Sequence, residues 1–209
     1  MIRSAVKNSA FAMALACGAS LALTAGVAQA RVKVNEKTTY YYVNGKDGAQ
    51  LTRSMARGGL WNIRQAHAIA ATQTTYDFGK PEIVVKNGWC RLSEPVVVLN
   101  LKFIYPKWPG YKRASPEVKA KWDKFYKELV AHEKEHGKIA RAGAKQLDQA
   151  MRSVKVRDTR QCADFGVAIS SKLEPILKKT AERQVGFDKR EYMETSRVTK
   201  AQKLLFMAK

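Results

Sequence analysis

The sequence predicts an α+β fold, an antiparallel sheet from the N-terminal half packed against helices from the C-terminal half. Three observations point there. Segments before Pro106 alternate with the two-residue period of strands, and segments after Ser115 repeat apolar residues every three or four positions. These two characters stay separate along the chain, as they do when helices gather on one side of an antiparallel sheet. Apolar residues make up 45% of the 209 and charged residues 27%, which fits a globular protein and excludes a disordered tail. A chain of this size supports one domain whose core needs no metal to hold it together.

Residues 1–30 read as a secretory signal. Arg3 and Lys7 give a positive start, Ala10 to Leu23 is an apolar run too short to span a bilayer comfortably, and Ala28-Gln29-Ala30 is a small-x-small cleavage pattern. Ser20, Thr24 and Gly26 interrupt the run and argue against a retained anchor. Cys17 invites a lipoprotein reading, but Ala14 stands where a large aliphatic residue is usual. The mature domain is then 31–209. Cleavage removes two of the 38 basic residues and none of the 18 acidic ones, leaving a formal charge of +18.

Thr38 to Val43 reads as a strand ended by Asn44-Gly45, and Ala49 to Arg57 as a helix with Leu51 and Met55 on one face, ended by Gly58-Gly59. Thr72, Thr74, Tyr76 and Phe78 share one strand face. Ile83 to Val85 and the stretch from Cys90 form further strands joined through Asn87-Gly88. In the strand Val96 to Ile104, Val97, Leu99, Leu101 and Phe103 line one face, and Pro106, Pro109 and Gly110 end the sheet region.

Ser115-Pro116-Glu117 is a helix start, with a capping Ser, a Pro at the first helical position and an early acid. Val118, Trp122, Phe125, Leu129, His132, His136, Ile139, Gly143 and Leu147 then mark one face of a long helix running to about Met151. A second helical region starts near Arg160 and passes Leu173 and Leu177, with a kink or break expected at Pro175. A last one runs to the C-terminus. Cys90 and Cys162 are the two cysteines left after cleavage. In an oxidising compartment they are expected to bridge, with a stabilisation of roughly 4 kcal/mol from loop entropy.

The chemistry lies in His132-Glu133-Lys134-Glu135-His136, an H-E-x-x-H pattern within the long helix. A four-residue step returns His136 to within about 40° of His132, so both imidazoles can reach one zinc ion. Glu133 stands beside them and can take a proton from a metal-activated water without being a ligand. These are two of only three histidines in the chain, and they continue the apolar row of Trp122, Phe125 and Leu129. A catalytic zinc normally has a third protein ligand. Ala142 stands where a third histidine would follow, and His67 reads as an ordinary surface or cap residue. Downstream carboxylates are the candidates: Glu174, Glu182, Asp188, Glu191 and Glu194. Asp148 lies too far along the motif helix to bend back.

Tyr42-Val43-x-Gly45, the strands around Cys90, Trp122-Asp123-x-Phe125, His132-Glu133-x-x-His136-Gly137-x-Ile139, Cys162 and Phe187-Asp188-Lys189-Arg190-Glu191 together resemble a bacterial family of predicted secreted zinc-dependent proteases. The resemblance spans about residues 38 to 195. It implies a zincin-like arrangement, export, a Cys90–Cys162 bridge and a zinc peptidase site on the long helix. Many members carry His-Gly soon after the Phe-Asp motif, where this chain has Met193-Glu194. That departure leaves Glu191 as the expected third ligand, with Asp188 as a partner behind the ligands or an alternative ligand.

The expected function is therefore a periplasmic or secreted zinc metallopeptidase acting on a peptide or protein substrate. His132, His136 and Glu191 hold the metal and Glu133 is the general base, with Tyr192 a candidate donor to the developing oxyanion. A substrate strand would pair with a free sheet edge. The basic surface suits anionic lipids, envelope polymers or acidic substrates, and no nucleic-acid module is recognisable. Two alternatives remain. One is a non-catalytic basic envelope-binding protein with a structural or vestigial metal site; the other is a latent peptidase that needs a partner or processing.

Overall fold

The computed structural model describes residues 32–58, 68–191, 193 and 195–209. The expected leader, and the roles expected of His67, Tyr192 and Glu194, lie outside the described residues.

The elements run in the order β1 (Val32–Tyr42), α1 (Gly48–Gly58), β2 (Ala71–Asp77), β3 (Ile83–Lys86), β4 (Trp89–Leu92), β5 (Val97–Lys107), α2 (Pro116–Ser153), β6 (Val156–Arg157), α3 (Phe165–Glu191) and α4 (Arg197–Phe206). The α+β arrangement is as expected. The purely antiparallel sheet is not.

The main sheet has the order β1-β5-β2 and is mixed. β2 pairs antiparallel with β5, but β1 pairs parallel with it, from Val32 opposite Val97 to Tyr42 opposite Lys107. The reason is the connection: α1, β2, β3 and β4 intervene between β1 and β5, a crossover long enough to return the chain in its original direction. β3, β4 and β6 form a second, antiparallel sheet. Its hairpin turns at Asn87 (φ 54°) and Gly88 (φ 73°), both left-handed as a tight two-residue turn requires.

β1 begins earlier than its Tyr-rich end suggested, because Glu36 interrupts the row of Val32 and Val34 and residues 33–38 are exposed on both faces. β5 runs past Pro106, which sits in the last pair of the ladder but one. Leu99, Leu101, Phe103 and Tyr105 of β5 are buried against Trp122, Phe125, Leu129, Ala140, Ala144 and Leu147 of α2. Ser115 caps α2, its hydroxyl accepting from the Val118 N–H at 3.3 Å. Gly137 lets helix and sheet close up: a Cβ there would lie 3.0 Å from Cζ of Phe103.

α3 packs along α2 in the opposite direction, with Thr180 level with Gly143 and Gln184 level with His136. A Cβ on Gly143 would meet Thr180 Oγ1 at 2.6 Å. The break expected at Pro175 does not occur; α3 is continuous through it. Pro175 and Ser171, whose carbonyl loses its helix donor, are both exposed, so water can serve that carbonyl. The helix also begins later than expected, at Phe165, because Gln161 and Cys162 have left-handed backbones.

Cys90 and Cys162 are bridged, as expected, with an S–S distance of 2.10 Å. The bridge ties the small sheet to the start of α3. Among the described residues no helix is long and apolar enough to cross a membrane.

Candidate metal centre

α2 carries His132, Glu133 and His136 past the edge strand β2 on one side and α3 on the other. The one-turn step sets the two imidazole rings 4.9 Å apart, centroid to centroid, with their Nε2 atoms 3.2 Å apart. Oδ1 of Asp188, on α3, lies 2.9 Å from Nε2 of His136 and 3.3 Å from Nε2 of His132. Three ligand atoms from two helices thus form a small triangle. Zinc held at roughly 2.0–2.1 Å with tetrahedral angles needs ligand atoms about 3.3 Å apart. The observed edges approach that value, and the donors, two imidazole nitrogens and a carboxylate oxygen, are a zinc set.

The surroundings hold these groups in place. Oε1 of Gln184 lies 2.6 Å from Nδ1 of His136, while its Nε2 donates to the His136 carbonyl at 3.1 Å. With the amide oriented this way, Nδ1 carries a proton and donates to Oε1, so that in the neutral ring it is the Nε2 lone pair that points into the triangle. Phe187 packs on both imidazoles, its ring centroid 4.8 Å from that of His132 and 5.0 Å from that of His136. The two histidine side chains are 8% and 11% exposed, and Asp188 is 35% exposed.

Electrostatics follow from this packing. Burial raises the Asp188 pKa, but hydrogen bonds from His132 and His136 outweigh it and hold the carboxyl well below its usual range. Burial lowers that of His136, yet Asp188 and Gln184 more than reverse the effect and the net shift is upward.

Glu133 stands apart from the triangle. It is 4% exposed, and its Oε2 accepts from the Thr72 hydroxyl at 2.7 Å. Burial pushes its pKa up, partly offset by Thr72 and by the two histidines. A carboxylate raised in this way is a better proton acceptor than an ordinary surface carboxylate. A cleft of about 660 Å³ opens over the group, between β2 and α3.

Of the expected site residues, the structure brings together His132, His136 and Asp188, with Glu133 beside them. Glu191, the expected third ligand, does not join the ligand group. It lies three residues beyond Asp188, about 4.5 Å further along the axis of α3, where the helix ends. Glu174 and Glu182 are exposed and stay outside the group. Asp148 is fully buried and paired with Arg152 at 3.0 Å. Cys90, Asp158 and Cys162 also cluster, but the two sulfurs are bonded to each other and are not available to a metal. Sequence reasoning did not single out Gln184, and it named Thr72 only as a strand residue and Phe187 only as part of a motif, missing what each does at the site. Gln184 had a signal, since it lies one helical turn before Asp188; Thr72 had none linking it to Glu133.

No curated protein and no solved structure matches the chain. A family profile does match, over residues 38–194, a range that takes in both the motif helix and Asp188. The chain belongs to the family described as bacterial protein of unknown function, DUF922.

Proposed function

We propose that this chain is a zinc-dependent peptidase of zincin-like architecture that works in the periplasm or outside the cell. His132, His136 and Asp188 would hold the metal, Asp188 taking the part expected of Glu191. The observation that carries the reading is the triangle of ligand atoms, with edges of 2.9, 3.2 and 3.3 Å, beside a buried carboxylate that is not part of it. Export is supported by the residues 1–30 pattern and by the Cys90–Cys162 bridge.

Zinc in this triangle would supply a Lewis acid that polarises the scissile carbonyl and makes water a nucleophile at neutral pH. Glu133 accepts the proton of the attacking water at its carboxylate and returns it to the departing amine. Thr72 aims that carboxylate by donating to Oε2. Gln184 fixes the His136 tautomer, and Phe187 keeps water off both rings. β2 pairs only with β5 among the described residues, so its other edge is open to an extended peptide laid along the cleft.

The test is zinc stoichiometry together with peptide hydrolysis. The mature protein should bind one zinc per chain and lose hydrolysis to a chelator. His136→Ala should lose the metal, and Glu133→Gln should keep it while losing turnover. Hydrolysis by Glu133→Gln at the parental rate would refute the role of Glu133. Zinc binding with no hydrolysis of any peptide would favour the non-catalytic envelope-binding alternative.

A further inference from the structure

The cleft sorts charge. Of the 209 residues, 38 are Lys or Arg, yet among the described residues none of them lines it. Among the described residues, the ionisable side chains around it, Tyr76 apart, are His132, Glu133, His136 and Asp188. α3 shows how this is done. Leu177, Ala181 and Val185, at four-residue steps, face the cleft with Thr180, Gln184 and Asp188. Lys178, Lys179, Glu182, Arg183, Lys189 and Arg190 are exposed positions of the same helix that do not line the cleft. The opposite wall is β2, whose Thr72, Thr74 and Tyr76 are uncharged at neutral pH, while Asp77 is not among the lining residues.

The wall beside the metal centre is also apolar and roomy. Val185, on this wall, is 53% exposed and offers an aliphatic surface to the cleft. Ala181 is exposed one turn before it and leaves space for a side chain to enter. We infer that the cleft selects peptide segments whose side chain next to the scissile bond is uncharged and aliphatic, with Ala181 and Val185 as the specificity-determining residues. The inference rests on the peptidase reading and adds the substrate class. The basic outer surface and the cleft walls, which carry no charge away from the metal centre, are then separate recognition elements, and net charge says nothing about the bond that is cut.

The probes are four short peptidyl hydroxamates that chelate the metal and differ in one side chain beside the chelating group: Ala, Leu, Lys or Glu. Calorimetry on the zinc-loaded protein should find Leu bound about ten- to hundred-fold more tightly than Lys or Glu, the range for removing one aliphatic side chain from water. Ala181→Glu alters an exposed helix position with a good helix former, so the fold should stand, and an unchanged melting temperature checks it. In this variant the Lys compound should gain at least tenfold relative to Leu. Equal binding across the panel, or a Lys-to-Leu ratio that Ala181→Glu leaves unmoved, overturns the inference while the metal centre stands. If no compound binds and the protein takes up no zinc, the peptidase reading falls and the inference falls with it.

Discussion

Thr72→Val removes the hydroxyl that reaches Glu133 from the sheet, 2.7 Å from the carboxylate Oε2 and 3.0 Å from the Glu133 carbonyl oxygen, its single proton serving the nearer acceptor. Valine keeps the shape of threonine and removes the hydroxyl that donates at 2.7 Å to Oε2. Glu133 is 4% exposed, so water cannot readily replace the donor. A hydrogen bond to a charged group contributes about 1.5–3 kcal/mol, and one to the protonated acid about 0.5–1.5 kcal/mol. The loss should therefore depend on pH. Glu133 has a folded pKa above its ordinary value of 4.5. A carboxyl raised in this way contributes stability that is full below its unfolded pKa and lost as pH rises through its folded pKa. Thr72 opposes the rise, so its removal deepens that loss. In urea titrations of the metal-free protein, Thr72→Val should cost about 1.5–3 kcal/mol at pH 7.5 and roughly half that at pH 4. In peptide hydrolysis the acidic limb should move to higher pH by about half a unit to one unit, the difference between the two costs at 1.36 kcal/mol per unit. Equal costs at both pH values, together with an acidic limb that stays in place, would refute the argument that Thr72 tunes Glu133.

Three further outcomes follow from the same geometry. Gln184→Leu should weaken zinc binding about ten- to hundred-fold without changing its stoichiometry, because His136 loses the partner that fixes its tautomer; competition with a chromogenic chelator measures it. Zinc uptake should release protons, since the shift of His136 is upward and the metal needs the neutral ring. Affinity should fall as pH drops through the raised His136 pKa, and calorimetry in two buffers of different ionisation enthalpy counts the protons. Cys90→Ser should lower stability by about 4 kcal/mol, the loop-entropy figure for a 72-residue separation, and reducing agent should then have no further effect on the melting temperature.

Much of this was legible in the sequence because it depends on short-range spacing. His132, Glu133 and His136 are fixed relative to one another by helix geometry, and the stripe names the buried face of α2 at Trp122, Phe125, Leu129, Gly143 and Leu147, while between them Glu133, Gly137 and Ala140 are buried and His132, His136 and Ile139 only partly so. The third ligand depends on how α3 slides along α2. That registry is set by close contacts such as Thr180 over Gly143 and Gln184 against His136. No periodicity encodes it, so Asp188 and Glu191 could not be told apart from spacing. The parallel pairing of β1 was hidden for a similar reason: alternation marks a strand but carries no direction. Pro175 is an instance of tertiary context overriding local preference, since the faces of α3 packed on α2 carry the helix through it.

The pairing of β1 with β5 has a further consequence for assembly. A ribosome releases the chain from its N-terminus, and Val32 cannot meet Val97 until the whole intervening stretch has been made. The first strand must wait as an unpaired ribbon, and the third ligand, Asp188, is made more than fifty residues after His136. A nascent chain that stops before α3 carries two imidazoles and a carboxylate but no closed triangle. On the peptidase reading, hydrolytic competence requires α3, so a chain cut short before that helix could not close the site.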